Sequence, residues 1–163
     1  VEAMTMGDRV AVLKDGLLQQ VDTPRTRYDF RANADVAGCI GSPAMNFILA
    51  QGAGGQAKLG DLSIPVPSNA GSSVIVGIRP EGFTPASAGF HVMVEVVEEL
   101  GADAFVYGEP ADPTVKFAFS AEEAQVIVRW DPKNPPKPGT TVSVVANPKE
   151  IHLFDAASGE RIK

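Results

Sequence analysis

The stretch Phe90-His91-Val92-Met93-Val94-Glu95-Val96 decides the fold class, because apolar residues recur along it at every second position. Successive side chains of a strand point to opposite faces of the sheet. Four apolar residues are then expected to share one face: Phe90, Val92, Val94 and Val96. This alternation predicts a half-buried β-strand over residues 90–98.

Seven further segments between residue 45 and the end of the chain have the same short, β-branched and aromatic character. We predict strands at 46–50, 74–78, 104–107, 115–119, 125–130, 141–146 and 151–154. Turns rich in glycine and proline separate them. Many short strands with such turns indicate a small barrel or sandwich. The glycine cluster at 52–55 is predicted to be a flexible hairpin tip and not a phosphate-binding loop, because no clear helix follows it.

The first 44 residues have a different sequence pattern, which predicts both helices and strands. Lys14-Asp15-Gly16 joins two apolar runs, at 9–13 and 17–21, and Asp-Gly in that position predicts a hairpin. Short helices are predicted at 24–30, where Thr23 precedes a proline, and at 34–40. Residues 1–7 read as the end of a helix. We expect residues 1–44 to be the C-terminal edge of a larger α/β domain, and residues 45–163 to be a separate β domain.

Composition and motifs narrow the range of functions. The net charge of −6 argues against a nucleic-acid partner held through its phosphates. A single cysteine, Cys39, permits no internal disulfide, and no apolar run approaches the twenty residues of a membrane span. His91 and His152 lack the clustered partners of a zinc site. With no GxxxxGK[ST] motif and no nucleophile elbow, we expect no catalytic, cofactor-binding or metal-binding residue in this chain.

A family resemblance extends across nearly the whole chain. The segment from Glu2 to Gly16 resembles the sequence that follows the switch histidine in sugar-importer ABC ATPases, and Gly41-Ser42-Pro43-Ala44-Met45-Asn46 continues that pattern. The segments at 77–81 (GIRPE), 97–102 (VEELGA) and 152–162 (HLFD and SGERI) are similar to the strand and closing motifs of that family's C-terminal domain. The chain thus resembles the subfamily of the maltose-transporter ATPase.

This resemblance implies a mainly β fold, a paired OB-type barrel like that of molybdate-binding modules, after a small α/β remnant of the nucleotide-binding domain. It implies a non-catalytic regulatory and dimerisation role, with the residues that hold ATP and magnesium upstream of Val1. The implied partners are a second copy of the subunit, the transporter's membrane subunits and a regulator protein, at the cytoplasmic face of the membrane. The alternative is a domain that senses a small oxyanion or sugar metabolite.

Four residues are candidate regulatory or interdomain contacts: Arg79, Glu81, Phe154 and Asp155. Pro80 fixes its own backbone and biases Arg79 toward an extended conformation, so both charges at 79 and 81 stand at a strand end. We expect Arg79 to bridge to Asp155 and tie the two halves of the β domain together. The alternative for Arg79 is a solvated side chain that contributes little to stability.

Overall fold

A computed structural model describes residues 10–14, 17–22, 45–118, 125–156 and 161–162. In its first part, strand β1 (Val10–Lys14) pairs antiparallel with β2 (Leu17–Asp22), which confirms the predicted hairpin. The helices predicted at 24–30 and 34–40, and the helix end at 1–7, lie outside the described residues.

The remainder of the described chain is almost entirely strand, joined by tight turns and by two 3-10 turns at Pro80–Gly82 and Pro148–Glu150. The strands are β3 (Asn46–Ala53), β4 (Gln56–Leu59), β5 (Leu62–Pro65), β6 (Ser73–Ile78), β7 (Phe83–Leu100), β8 (Asp103–Pro110), β9 (Lys116–Phe117), β10 (Val126–Trp130), β11 (Thr141–Ala146) and β12 (Ile151–Asp155).

These strands form two curled antiparallel sheets. One has four strands in the order β10-β8-β7-β11. The other has six, in the order β12-β6-β3-β4-β5 with β9 also paired to β3. The predicted mainly β, OB-type architecture is confirmed.

One buried apolar cluster joins the inner faces of both sheets. Ile48 and Val76 come from the six-stranded sheet, and Val92, Val106 and Val128 come from the four-stranded sheet, each with no exposed surface. The opposite face of the six-stranded sheet carries a second cluster: Met45, Phe47, Ile75 and Phe154. Because β3 and β6 bury residues on both faces, their sequences read as continuous apolar runs and not as alternating ones.

A β-bulge corrects the alternation expected for residues 90–96. The pairing of β7 with β8 shifts register between Val94 and Val96, so Val94 is buried whereas Val96 is 52% exposed on the other face. A bulge inserts one residue and reverses the faces beyond it. Gly108 permits this, since a Cβ there would lie 2.2 Å from the backbone oxygen of Met93. The expectation that Val96 shares a face with Phe90 was therefore wrong.

The structure also differs from the predicted strands in other places. Strand β7 begins at Phe83 and not near residue 90, because residues 83–85 also pair with β11; it contains Gly89, whose φ is 130°. Of the strand predicted at 115–119, only Lys116–Phe117 pairs within the described part. Strands β4 and β5 had not been predicted, although the glycine tip before them is confirmed as a turn with positive φ at Gly54 and Gly55.

The Asn46 side chain joins the two sheets. It is 4% exposed, and its Nδ2 donates to the carbonyls of Ile78 (2.9 Å) and Ile127 (2.8 Å). Its Oδ1 accepts from the Ile127 N–H at 2.7 Å. The carboxamide thus pairs with Ile127 in both directions, as a neighbouring peptide group would. Strand β10, at one edge of the four-stranded sheet, is thereby tied to β3 of the six-stranded sheet.

We expect Asn46→Ala to lower the free energy of unfolding by at least about 2 kcal/mol, because backbone groups of Ile127 and Ile78 lose buried partners. Urea unfolding of the variant and the parent chain measures this difference. Asn134→Ala is the matched control, since Asn134 is exposed and its hydrogen bonds are made by its backbone, which accepts from the Trp130 indole and donates to the Asp131 carbonyl. The control should stay within about 0.5 kcal/mol. An equal decrease in the free energy of unfolding in both variants would contradict the role of Asn46 in joining the two sheets.

Candidate functional site

Arg79 lies at the junction between β6 and the first 3-10 turn, with an extended backbone as expected before proline. Its side chain is 5% exposed, so the alternative of a solvated arginine is wrong. The N–H of Gly82 donates to its carbonyl at 2.9 Å, and the N–H of Asn147 donates to the Gly82 carbonyl at 2.8 Å. The segment that carries Arg79 and the half-buried Glu81 therefore contacts the segment that leads into β12.

The register of β6 and β12 locates the other two candidates. Ile151 pairs with Ile78, whereas Asp155 pairs with Val74, so Arg79 and Asp155 stand at opposite ends of this strand pair. The structure does not bring them side by side, although neither residue is without a partner. The Arg79–Asp155 ion pair stays a prediction, and additive losses in a double-mutant cycle would rule it out.

Phe154, the fourth candidate, is fully buried in the second apolar cluster. Its ring meets that of Phe47 edge-on, with centroids 5.9 Å apart and planes at 70°. Gly77 leaves room for both rings, since a Cβ there would lie 3.0 Å from Phe154. This position gives Phe154 a packing role, and a regulatory role for it stays a prediction.

A cleft of about 290 Å³ lies where the two edges of the six-stranded sheet face each other; we call it the seam cleft. Its walls are Ile64 and Pro65 of β5, with Pro67 just after it; Pro148 of the second 3-10 turn; Ile151, His152 and Leu153 of β12; and Arg161 and Ile162 beyond β12. Residues 161–162 continue the sheet, because the Ile162 N–H donates to the Leu153 carbonyl at 2.8 Å. Apolar walls with a few polar groups are typical of small-molecule sites.

Among the residues that line the seam cleft, His152 has a pKa that its surroundings shift. Its Nδ1 is buried and has no hydrogen-bond partner among the described residues. Burial lowers the pKa of His152 below its ordinary value, and the positive charges of Arg161 and Arg79 lower that pKa further. The ring is therefore neutral at pH 7, in a region of positive potential.

A strip of exposed apolar side chains runs along β7, formed by Met93 (40% exposed), Val96 (52%) and Leu100 (48%); we call it the β7 strip. Tyr107 lies directly opposite Val96 on β8. Burial raises the pKa of the Tyr107 phenol, and the charge of Glu98 and a hydrogen bond to it raise that pKa further. An apolar strip beside carboxylates is a candidate contact surface.

The described residues show little that suggests chemistry elsewhere. His91 contacts Ser143 Oγ at 2.7 Å and Asp61 Oδ2 at 3.2 Å. Within the described ranges, no group of three histidine, cysteine or acidic side chains is placed to hold a metal ion. Among the same residues, no helix has the length and apolar character needed to cross a bilayer.

A curled antiparallel barrel with a short 3-10 turn before β7 and another before β12 defines a β module of the OB type. Residues 41–83 match the family described as the MalK OB fold domain, and residues 76–154 match the one described as the TOBE domain. Residues 41–154 thus belong to these two domain families, which confirms the resemblance of the chain to the C-terminal part of sugar-importer ABC ATP-binding subunits.

Similar proteins extend this relationship to the full length of the chain. The diacetylchitobiose uptake system ATP-binding protein MsiK of Streptomyces coelicolor is 45% identical over 187 residues, covering 99% of this chain and 48% of MsiK. The sn-glycerol-3-phosphate import ATP-binding protein UgpC of Cereibacter sphaeroides is 39% identical, covering 99% and 44%. The sulfoquinovosyl glycerol transport ATP-binding protein SmoE of Agrobacterium fabrum is 38% identical, covering 99% and 46%. The chain spans about half the length of these relatives.

The lowered pKa of His152 predicts a pH dependence of stability. An unfolded histidine protonates near pH 6.5, and the folded ring protonates at lower pH. The contribution of His152 to the free energy of unfolding is therefore fully present above about pH 6.5. It is lost as the pH falls toward the pKa of His152 in the folded chain.

Two-dimensional NMR titration of the imidazole rings measures the folded-state pKa directly. Arg161→Gln should raise the pKa of His152 toward its ordinary value because it removes a nearby positive charge. Arg129→Gln, an exposed arginine on β10, should leave that pKa unchanged. A His152 midpoint at or above about 6.5 in the parent chain would contradict the assignment.

Proposed function

We propose that this chain is the non-catalytic regulatory and dimerisation part of the ATP-binding subunit of a sugar-importing ABC transporter. Three relatives that align with the whole chain are ATP-binding proteins of import or transport systems. The chain itself contains no GxxxxGK[ST] motif. In this proposal ATP and magnesium are bound by another part of the subunit, which also contacts the membrane subunits at the cytoplasmic face.

The β7 strip is the observation that carries the dimerisation proposal. Its three apolar side chains are each at least 40% exposed although they lie on the strand that runs through the four-stranded sheet. Burying them against the same strip of a second copy would remove apolar surface from water on both partners. A contact between identical surfaces also closes with two-fold symmetry and stops at a dimer.

The charges around the β7 strip set the salt dependence of this contact. Glu95, Glu98 and Glu99 are exposed on the same strand. A two-fold contact brings the carboxylates of both copies together, and like charges repel. Salt screens that repulsion but leaves the apolar contact in place. Association should therefore strengthen with ionic strength, whereas a contact with a basic partner would weaken.

The regulatory half of the proposal assigns a regulator protein to the surface around the two 3-10 turns. Glu81, in the first of these turns, is half-buried and presents part of its surface to solvent, whereas Asp155, also half-buried, stands at the other end of the β6–β12 pair. Arg79 is buried at the end of β6, directly before the first of these turns, and its carbonyl accepts from the Gly82 N–H of that turn. A second candidate function, sensing of a small ligand, is favoured by the seam cleft.

We expect sedimentation equilibrium of the chain to show a monomer–dimer equilibrium that tightens between about 0.05 M and about 0.5 M salt. The double variant Val96→Lys/Leu100→Lys should weaken association at least about tenfold, because it places charges in the apolar contact. Thr84→Lys is the control, since Thr84 is exposed on the same strand outside the strip. A chain that is monomeric at both salt concentrations, or that associates more weakly at the higher one, would contradict the proposal.

A further inference from the structure

The seam cleft combines a hydrocarbon wall with two nitrogen-bearing side chains. Apart from His152 and Arg161, the described residues that line it are isoleucine, leucine and proline. Proline and branched aliphatic side chains offer a ligand no hydrogen bond, so they suit a carbon skeleton. Orientation and specificity must then come from the two polar residues.

The electrostatics of the seam cleft favour an anion. Arg161 lines it, and both charges that lower the pKa of His152 are cations, Arg161 and Arg79. These two cations act on His152 in a chain whose net charge is −6. A guanidinium presents two parallel N–H donors that match the oxygens of a phosphate or a carboxylate.

His152 supplies a second point of contact. Its ring lines the cleft, and its Nδ1, which is buried and has no partner among the described residues, reaches a ligand only if the ring turns about its side-chain bonds. A neutral imidazole offers one N–H donor and one acceptor. A phosphate group has three acceptor oxygens, enough to receive both the Arg161 fork and an imidazole N–H.

We propose that the seam cleft binds a small phosphate monoester, with the phosphate on Arg161 and His152 and a sugar- or polyol-sized skeleton against the proline wall. The volume of about 290 Å³ lies at the lower limit of ligand pockets, which restricts the skeleton to a single small unit. This inference deepens the second candidate function and is independent of association through the β7 strip. Either proposal can fail without the other.

Binding should be coupled to the protonation of His152. A bound phosphate offsets the positive charge of Arg161 and Arg79, so the pKa of His152 rises in the complex. The complex therefore takes up a proton that the free chain does not hold. Relative to a chain that lacks His152, affinity increases as the pH falls through the window between the two pKa values.

The test is a titration of ¹⁵N-labelled chain followed by the amide signals of Leu153 and Ile162, with three probes: glucose 6-phosphate, glucose and inorganic phosphate. Glucose 6-phosphate should bind saturably at these signals and at least about tenfold more tightly than either of the others. Arg161→Gln should weaken its binding at least about tenfold, whereas Arg129→Gln should not. Equal binding of inorganic phosphate and glucose 6-phosphate, or equal effects of the two arginine variants, would overturn the proposal.

The pH series separates a ligand contact at His152 from a purely structural role. Because the phosphate itself gains a proton near pH 6, parent and His152→Gln chains are compared at each pH. The ratio of their affinities should rise in favour of the parent chain as the pH falls from about 7.5 to about 5.5. A ratio that stays constant across this range would overturn the role of His152.

Discussion

The side chain of Asn46 is the interaction on which the arrangement of this β module depends. Its carboxamide completes the hydrogen bonding of Ile127 on β10 and also binds the Ile78 carbonyl at the end of β6. Ile78 in turn pairs with Ile151, the first residue of β12. One buried side chain thus connects the edge of the four-stranded sheet to the strand ends from which the Arg79 turn and β12 begin. The buried Arg79 follows Ile78 directly in the chain, and Ile151, which pairs with Ile78, lines the seam cleft.

Apolar packing on both faces of the six-stranded sheet gives that connection a rigid support. The inner face contributes to the core shared with the four-stranded sheet, and the outer face carries the Phe47–Phe154 pair. Gly77 lies between these layers because a side chain there would overlap Met45 and Phe154. Edge strands β5 and β12 stay accessible, and the seam cleft lies between them.

Local sequence signals predicted the local structure well and the long-range structure poorly. Asp-Gly between two apolar runs predicted the first hairpin, and the strand at Thr141–Ala146 was predicted to its exact bounds. The position of Val96 could not be predicted, since the bulge that turns it outward depends on Gly108 in the neighbouring strand. The family resemblance included Asn46 without indicating that its partner is Ile127, 81 residues away. The seam cleft escaped prediction for the same reason: His152 and Ile64 meet only when the sheet curls.

The central claim is that Asn46 makes the two sheets one cooperative unit, and native-state amide hydrogen exchange tests it most directly. The Ile127 N–H bonds to a side chain and not to a neighbouring strand. If the claim holds, this amide exchanges only through global unfolding, with the same opening free energy as the central amides of β6 and β7. Exchange of Ile127 through a separate opening, at a free energy well below that of β6 and β7, would contradict it.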